Sequence, residues 1–275
     1  MPLIKKYMQK IVEKYCELPR VIRRPLWQLW HNLMIRFDKE KAATFMNYGY
    51  ASLNGEMPLN LLERDESDRY CIQLYDHVVN KVDLKNKKVL EIGSGRGGGA
   101  SYITRYYNPE SYIALDISKQ VIDFCNRYHK VNGLSFIKGF AEKPPFSSDT
   151  FDAVVNVESA RCYKDLDVFF YEVKRVLKTG GHFLFADMIK NTEIETIKLQ
   201  LKNSGLELIS EDNISKNVVK ALDYDHVRRE NLIKDKIPGF LNKAFLQFAG
   251  TQGTERYESF ANGKMEYWSF VLRKN

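Results

Sequence analysis

The stretch that decides the fold is Val89-Leu90-Glu91-Ile92-Gly93-Ser94-Gly95-Arg96-Gly97-Gly98-Gly99-Ala100. Its first four residues are mostly apolar and partly β-branched, which is typical of a short strand buried on both faces. Five glycines follow within seven residues, and glycine lets the backbone adopt positive φ and approach a ligand closely. A helix that begins there directs its free N–H groups and the positive end of its dipole toward that ligand. The stretch therefore predicts a strand, a sharp turn and a helix start that bind a cofactor.

The residues around the glycines discriminate between cofactors. The spacing Gly93-x-Gly95-x-x-Gly98, with Asp116 downstream, also fits the dinucleotide fingerprint, so NAD-dependent oxidoreduction is one alternative. Glu91 favours another ligand, because a carboxylate at the end of the strand can accept hydrogen bonds from the ammonium group of S-adenosylmethionine. A P-loop is excluded, because no Gly-Lys-Ser/Thr sequence follows. A turn that binds nothing is disfavoured, because so many glycines cost folding entropy.

The length and composition limit the classes of protein to which the chain can belong. A chain of 275 residues can form one large α/β domain with an appendage, or two small domains. No apolar run approaches the roughly 20 residues that cross a bilayer, and a signal-peptide core is missing, so we expect a cytoplasmic protein. The four cysteines are scattered without a CxxC pair, so disulfides and a metal site are not expected. The net charge of +7 is spread along the chain and favours solubility over nucleic-acid binding.

Apolar periodicity alternates between strand and helix along the chain. Strands are predicted at 89–92, 112–116, 134–138, within 149–158, and at 182–187, 206–210 and 264–273. One-faced helices are predicted to begin at 67, 100, 119, 166 and 193, and the helix that begins at 166 is expected to end at the glycines 180 and 181. This alternation predicts an α/β fold with a doubly wound, mostly parallel seven-stranded sheet.

We divide the chain into four parts. Residues 1–66 form an N-terminal extension, 67–210 the cofactor-binding core, 211–262 a helical cap inserted over the site, and 263–275 the last strand of the core. The cap is predicted because 213–249 is expected to be wholly helical and is too long for a simple connection. In the extension, a helix after Pro25 carries an apolar stripe that packs on the protein, covers an apolar substrate or rests on a membrane surface.

The ends of the predicted strands supply candidate site residues. Asp116 ends the second strand, where a carboxylate can accept two hydrogen bonds from the vicinal hydroxyls of a ribose. Ser118 is available to cap the helix that follows. Glu158 ends the fourth strand, and we expect it to act as a base or to position the acceptor. His226, in the cap, is a second candidate for the base.

Several stretches together resemble the class I S-adenosylmethionine-dependent methyltransferases, which have a Rossmann-like fold. They are 89–99, Asp116, Ala141-Glu142, 149–158 and 178–181. A narrower resemblance, to the phthiotriol/phenolphthiotriol dimycocerosates methyltransferase group, spans most of the chain. It rests on 97–105, Asn156-Val157-Glu158-Ser159, Cys162-Tyr163, Gln252-Gly253-Thr254 and the Asn47-Tyr48-Gly49-Tyr50 loop.

The resemblance implies S-adenosylmethionine as the cofactor and a set of residues that bind it. Glu91, Gly93 and Gly95 would hold its methionine end, Asp116 its ribose, and Ala141 and Glu142 its adenine side. The full set of expected contacts also includes Tyr48, Ser94, Ile117 and Asn156. Two residues depart from the family pattern. Phe140 stands where relatives usually carry an acid for the adenine amino group, and Arg161 stands where the group tends to have a histidine.

The expected function is transfer of a methyl group to a small apolar acceptor, a hydroxyl of a lipid or polyketide-like molecule. Two alternatives stay open. A nucleic-acid methyltransferase would suit the basic charge, although 156–159 lacks the Asn-Pro-Pro-Tyr type of sequence, and we expect no nucleic-acid partner. A non-catalytic S-adenosylmethionine-binding protein would explain Phe140 and Arg161. Peripheral membrane contact through the N-terminal helix is a further option.

Overall fold

The computed structural model describes residues 43–55 and 59–275. The helix predicted after Pro25 lies outside these residues, as does most of the predicted extension. Within the described ranges the strands are β1 (Lys88–Ile92), β2 (Ser111–Asp116), β3 (Leu134–Lys138), β4 (Phe151–Val157), β5 (Leu177–Lys190), β6 (Glu207–Asn213) and β7 (Met265–Arg273). The helices are α1 (Arg69–Val79), α2 (Gly98–Tyr107), α3 (Lys119–Tyr128), α4 (Leu166–Val176), α5 (Ile194–Asn203), α6 (Ser215–Lys236), α7 (Asn242–Ala249) and α8 (Glu255–Ala261).

The seven strands form one sheet in the order β3-β2-β1-β4-β5-β7-β6. The first five strands in this order are parallel to one another, and β7 lies antiparallel between β5 and β6. The predicted α/β fold with a mostly parallel, doubly wound sheet is therefore confirmed. The strand order reverses between β1 and β4, and ligands of such sheets bind at the carboxyl ends of the strands at this switch point.

Helices cover both faces of the sheet because successive strand residues point to opposite sides. Val89 of β1 and its partner Ala153 of β4 lie in a core that also holds apolar residues of α1, α2 and α3. Leu90 and its partner Val154 lie in a second core together with the apolar faces of α4 and α5. Strands buried on both faces explain the continuous apolar runs in the sequence.

Side-chain caps define where α3 and α4 begin. The Ser118 side chain accepts a hydrogen bond from the Val121 N–H and caps α3, as the sequence predicts. The Asp165 carboxylate caps α4 by accepting from the N–H groups of Asp167 (3.0 Å) and Val168 (3.1 Å). Such caps supply acceptors for N–H groups that have no partner within the helix.

Two predicted boundaries are wrong. Helix α4 ends at Val176, and the glycine pair lies inside β5, where the register of β5 against β4 shifts between Phe151 and Ala153. Glycine is suited to such an irregularity, and Gly180 adopts a φ of +78°.

The cap is not wholly helical, because the chain leaves the helical conformation at Ile237, directly before Pro238. Proline disfavours the helical conformation of the residue before it.

The start of α2 packs so closely on its neighbours that side chains do not fit. A Cβ atom at Gly98 would lie 2.8 Å from the backbone oxygen of Thr44, and one at Gly99 would overlap the ring of Tyr75. The Tyr75 ring is 7% exposed and belongs to the core shared by α1 and α2. Glycine is therefore required where α2 passes over α1.

We expect Gly99→Ala to lower the free energy of unfolding by about 1–3 kcal/mol, because the added methyl displaces the Tyr75 ring from a close-packed core. Gly239→Ala is the matched control, since no atom lies within 4 Å of the position and its φ is not positive. Urea unfolding followed by tryptophan fluorescence measures both. Equal midpoints for the two variants would contradict the packing account.

Candidate active site

An open cavity, about 950 Å³ including the solvent space at its mouth, lies at the carboxyl ends of β1, β2 and β4, at the switch point of the sheet. The loops that follow successive strands form most of its wall. A segment that precedes α1, Tyr75 of α1 and the start of α2 form the rest. The wall includes Thr44–Asn47, Gly93–Arg96, Asp116–Ser118, Ala141, Glu142, Val157–Ser159 and Arg161–Tyr163.

The turn after β1 presents bare backbone to this cavity. Gly93 has a φ of +81°, and a Cβ atom there would lie 2.6 Å from the Tyr163 hydroxyl. The N–H groups of Gly93 and Ser94 donate to the Leu115 carbonyl at 2.7 and 3.1 Å, which ties the turn to β2. The Ser94 hydroxyl borders the cavity, is buried, and has no hydrogen-bond partner among the described residues. Because buried polar groups are normally hydrogen-bonded, this hydroxyl fits a contact with a polar ligand.

Asp116 lies at the carboxyl end of β2, on the cavity wall, as predicted. One carboxylate oxygen accepts the Ser118 N–H at 2.9 Å and the other accepts the Gly95 N–H at 3.1 Å. Burial raises the pKa of Asp116 to about 6, although these backbone hydrogen bonds favour the ionised form. Each carboxylate oxygen can accept further hydrogen bonds, so the side chain can bind a vicinal diol.

Glu91 is placed differently from the expectation. Its side chain is fully buried and does not border the cavity, and its carboxylate accepts hydrogen bonds from the hydroxyls of Tyr75 and Tyr112, both at 3.0 Å. Burial raises the pKa of Glu91 to about 7, although the hydrogen bonds from the two tyrosines act to lower it. Tyr75 borders the cavity, so the tyrosine and not the carboxylate faces a ligand there. The only signal for this role in the sequence is a hydroxyl-bearing residue in an otherwise apolar stripe of α1.

Glu158 follows β4 directly and borders the cavity. Its Oε1 accepts hydrogen bonds from the Tyr48 N–H (2.8 Å) and the Tyr267 hydroxyl (3.0 Å). Its Oε2 lies 3.6 Å from Nη1 of Arg161 and receives no hydrogen bond from the described part of the chain. Burial raises the pKa of Glu158 to about 7, although Arg161 and the two hydrogen bonds oppose the increase. Its φ of +52° is unusual for a residue other than glycine.

Arg161 joins two buried carboxylates at the carboxyl ends of neighbouring strands. Its Nη1 lies 3.1 Å from the carboxylate of Asp187 as well as 3.6 Å from that of Glu158, and its backbone N–H donates to Asp187 at 3.2 Å. All three side chains are less than 10% exposed. A guanidinium stays charged, so Arg161 compensates buried negative charge and cannot replace a histidine as a base.

The other expected site residues fall into two sets. Ile117, Ala141 and Glu142 border the cavity, together with Gly95. Asn156 and Tyr48 do not. Asn156 lies behind the wall, where its Nδ2 is 2.8 Å from the Ile92 carbonyl and 2.9 Å from the Tyr163 hydroxyl. Asn156 thus supports the residues of the wall, whereas Tyr48 reaches Glu158 through its backbone N–H.

His226 and Phe140 also lie away from this cavity. The Nδ1 of His226 accepts a hydrogen bond from the Gln252 N–H at 3.2 Å, and its Nε2 is 3.7 Å from Glu230. Phe140 is 51% exposed and does not border the cavity. The geometry therefore leaves Glu158 as the candidate base, and Phe140 does not close the region near Ala141 and Glu142.

The residues of this cavity fit S-adenosylmethionine. The backbone of Gly93 and Gly95 lines the cavity, the buried Ser94 hydroxyl needs a partner, and Asp116 suits a ribose. In the described ranges, no group of three or more histidine, cysteine, aspartate or glutamate side chains could hold a metal ion.

Comparisons with known proteins identify the family of the chain. Residues 90–185 match the family described as methyltransferase domain. The chain is 36% identical over 250 residues to the phthiotriol/phenolphthiotriol dimycocerosates methyltransferase of Mycobacterium tuberculosis, covering 91% of this chain and 92% of that protein. It is 37% identical to the fatty-acid O-methyltransferase of Mycolicibacterium smegmatis, covering 86% and 85%.

A solved structure with the same fold is geranyl diphosphate C-methyltransferase from Streptomyces coelicolor. It aligns with a TM-score of 0.59 at 14% identity, covering 90% of this chain and 98% of that chain. The two curated relatives match nearly the whole chain and the family match spans the glycine turn, Asp116 and Glu158. The chain therefore belongs to the class I S-adenosylmethionine-dependent methyltransferases, in the group of the phthiotriol/phenolphthiotriol dimycocerosates methyltransferases.

Proposed function

We propose that this methyltransferase acts on a hydroxyl group of a small apolar acceptor, a lipid or polyketide-like molecule. The observation that carries the proposal is the position of Glu158, a buried carboxylate on a cavity wall that also holds Phe45, Met46, Val157 and Cys162. A base on a wall that is partly apolar suits an acceptor with one reactive hydroxyl and an apolar body. The names of the two relatives, a fatty-acid O-methyltransferase and a phthiotriol dimycocerosates methyltransferase, support an acceptor of this class.

We propose that residues of the cavity wall bind the cofactor as the family resemblance implies. Gly93, Ser94 and Gly95 would hold the methionine part, Asp116 the ribose, and Ala141 with Glu142 the adenine side. Bound S-adenosylmethionine supplies an electrophilic methyl group on a sulfonium. The protein has to align the acceptor oxygen with that methyl group and keep water out of the cavity, which can account for much of the rate.

The proposed role of Glu158 is to receive the acceptor's proton at Oε2. The Tyr48 N–H and the Tyr267 hydroxyl hold Oε1, so the carboxylate is fixed in orientation while Oε2 keeps its acceptor capacity. Arg161 balances part of the negative charge of the ionised form. An aliphatic hydroxyl loses its proton only during attack on the methyl group. A base in place at that moment therefore stabilises the transition state.

The other candidate functions are less well supported. The non-catalytic alternative was motivated by Phe140 and Arg161, but Phe140 lies off the cavity wall and Arg161 has a role as an ion-pair partner. Among the helices that the structure describes, none combines the length and apolar character needed to cross a membrane. Membrane contact through the helix predicted after Pro25 stays a prediction, because that helix lies outside the described residues.

We expect Asp116→Ala to weaken S-adenosylmethionine binding by about 10- to 100-fold, because hydrogen bonds to a charged group contribute about 1.5–3 kcal/mol. The control is Asp123→Ala on α3, whose carboxylate pairs with Lys119 at the surface and does not border the cavity. Titration calorimetry with each variant measures the effect. Equal affinities for the two variants would remove Asp116 from the cofactor site.

Turnover with apolar acceptors tests the proposed function as a whole. We expect S-adenosylhomocysteine to form with at least one member of a panel of fatty alcohols, fatty acids and alkyl phenols, and not with single- or double-stranded RNA. Product release is measured by a coupled assay for S-adenosylhomocysteine. A protein that binds the cofactor tightly but produces nothing with any panel member would contradict the proposal.

The pH dependence of turnover tests the role of Glu158. A base acts in its ionised form, so kcat/KM should hold above pH 7 and fall by up to tenfold per pH unit below it, following the pKa of about 7. Glu158→Gln should lower kcat/KM by about 100- to 10,000-fold and remove this inflection.

Tyr267→Phe tests the same pH profile of kcat/KM with a smaller change at Glu158. It removes a hydrogen bond that favours the ionised carboxylate, so the inflection should move to higher pH. An inflection near pH 7 that persists in Glu158→Gln would belong to another buried acid, such as Glu91, and the proposed base would be withdrawn.

A further inference from the structure

A second open cavity, about 610 Å³ including the solvent space at its mouth, lies beside the first, within the part of the chain that the structure describes. Its walls come from the segment before α1, from one residue of α1, and from the cap helices α6 and α7. The lining residues are Ala43, Phe45–Tyr48, Cys71, Arg228, Arg229, Leu232, Ile233, Phe245, Phe248 and Ala249. None of the candidate cofactor contacts on the first cavity's wall belongs to this set.

The walls of this second cavity present mainly apolar surface to a ligand, even though two arginines belong to them. Arg228 pairs with Asp225 at 2.6 Å and Asp68 at 3.1 Å. Arg229 pairs with Asp225 at 2.8 Å and donates to the carbonyls of Asn47 and Ala249. Because each guanidinium is already compensated by protein groups, the walls offer a ligand mainly aliphatic and aromatic surface.

The two cavities have a common wall. Phe45, Met46 and Asn47 border both of them, and the next residue, Tyr48, donates its N–H to Glu158. A molecule in the second cavity therefore lies directly beside the cofactor cavity and its candidate base. Both Phe45 and Met46 have rotatable apolar side chains, and methionine adapts easily to irregular apolar partners.

We propose that the second cavity receives the hydrocarbon chain of the methyl acceptor, while the reactive hydroxyl enters the cofactor cavity beside Phe45 and Met46. The inference rests on the proposed function and adds to it a location for the apolar part of the substrate. An acceptor of this kind is an amphiphile with one polar end. Apolar surface transferred from water into the cavity supplies its binding energy.

Direct binding of a neutral alkyl probe, the dansyl amide of dodecylamine, tests the site without turnover. Leu232→Trp adds an indole at the cavity wall and should weaken probe binding at least tenfold. Val227→Trp adds the same group to α6 at a position that is 65% exposed and outside the cavity, and should leave probe binding unchanged. Both variants should bind S-adenosylmethionine within about twofold of the wild type, since neither residue borders the cofactor cavity.

Ala249→Leu is the second cavity-filling variant, for use if Leu232→Trp does not fold. It should also weaken binding of the probe, by a smaller factor than Leu232→Trp does. Probe affinity that is equal in the wild type and in the folded cavity-filling variant would overturn the inference, whatever the cofactor affinity.

Turnover with straight-chain alcohols separates this inference from the proposed function. In the wild type, kcat/KM should increase about threefold to fourfold with each added methylene, as expected for burial of one CH₂ group. In Leu232→Trp the increase should stop at shorter chains. The same chain-length dependence in both proteins would place the chain elsewhere and overturn the inference. Cavity-dependent probe binding without turnover of any fatty alcohol, fatty acid or alkyl phenol would instead contradict the proposed function and leave the apolar site standing.

Discussion

The close packing at the turn after β1 depends on glycines, which carry no side chain. The backbone at Gly93 passes against Ser159 and Tyr163, and the backbone at Gly99 passes against the ring of Tyr75. These contacts bring the loop after β4 and the helix α1 to the same place as the carboxyl ends of β1 and β2. Most of the walls of the cofactor cavity depend on that approach, because they consist of elements far apart in the sequence that meet at the turn.

Buried charge organises the other side of the cavity. Glu158 accepts hydrogen bonds from the segment before α1 and from β7, and Arg161 links it to Asp187 on β5. Removing charged groups from water is costly unless they are paired and hydrogen-bonded, so this arrangement has few alternative geometries. The same contacts hold Tyr48, and with it the wall between the two cavities, in a defined position. The candidate base and the proposed acceptor site are thus parts of one connected structure.

The sequence predicted the elements better than the partners of polar side chains. The seven strands, the glycine turn and the position of Asp116 could be identified from local patterns of apolar residues and glycines, because those patterns follow from strand and helix geometry. The glycine pair at 180 and 181 was misassigned, because a bulge within a strand and the end of a helix have the same local signal. The break in the cap lies directly before Pro238, a local signal that the prediction of a wholly helical cap leaves out.

The contacts of Glu91 and Arg161 could not be predicted from local sequence. Glu91 bonds to Tyr75 and Tyr112, and these pairs form only when α1 and β2 pack beside β1. Arg161 pairs with Asp187, 26 positions away along the chain. The central claim, that the cavity at the switch point binds S-adenosylmethionine with Asp116 at its ribose, is tested most directly by a crystal structure with S-adenosylhomocysteine. We expect both ribose hydroxyls within about 3 Å of the Asp116 carboxylate and the amino-acid part at Gly93 to Gly95. A ribose bound away from Asp116, or a ligand outside this cavity, would contradict the account.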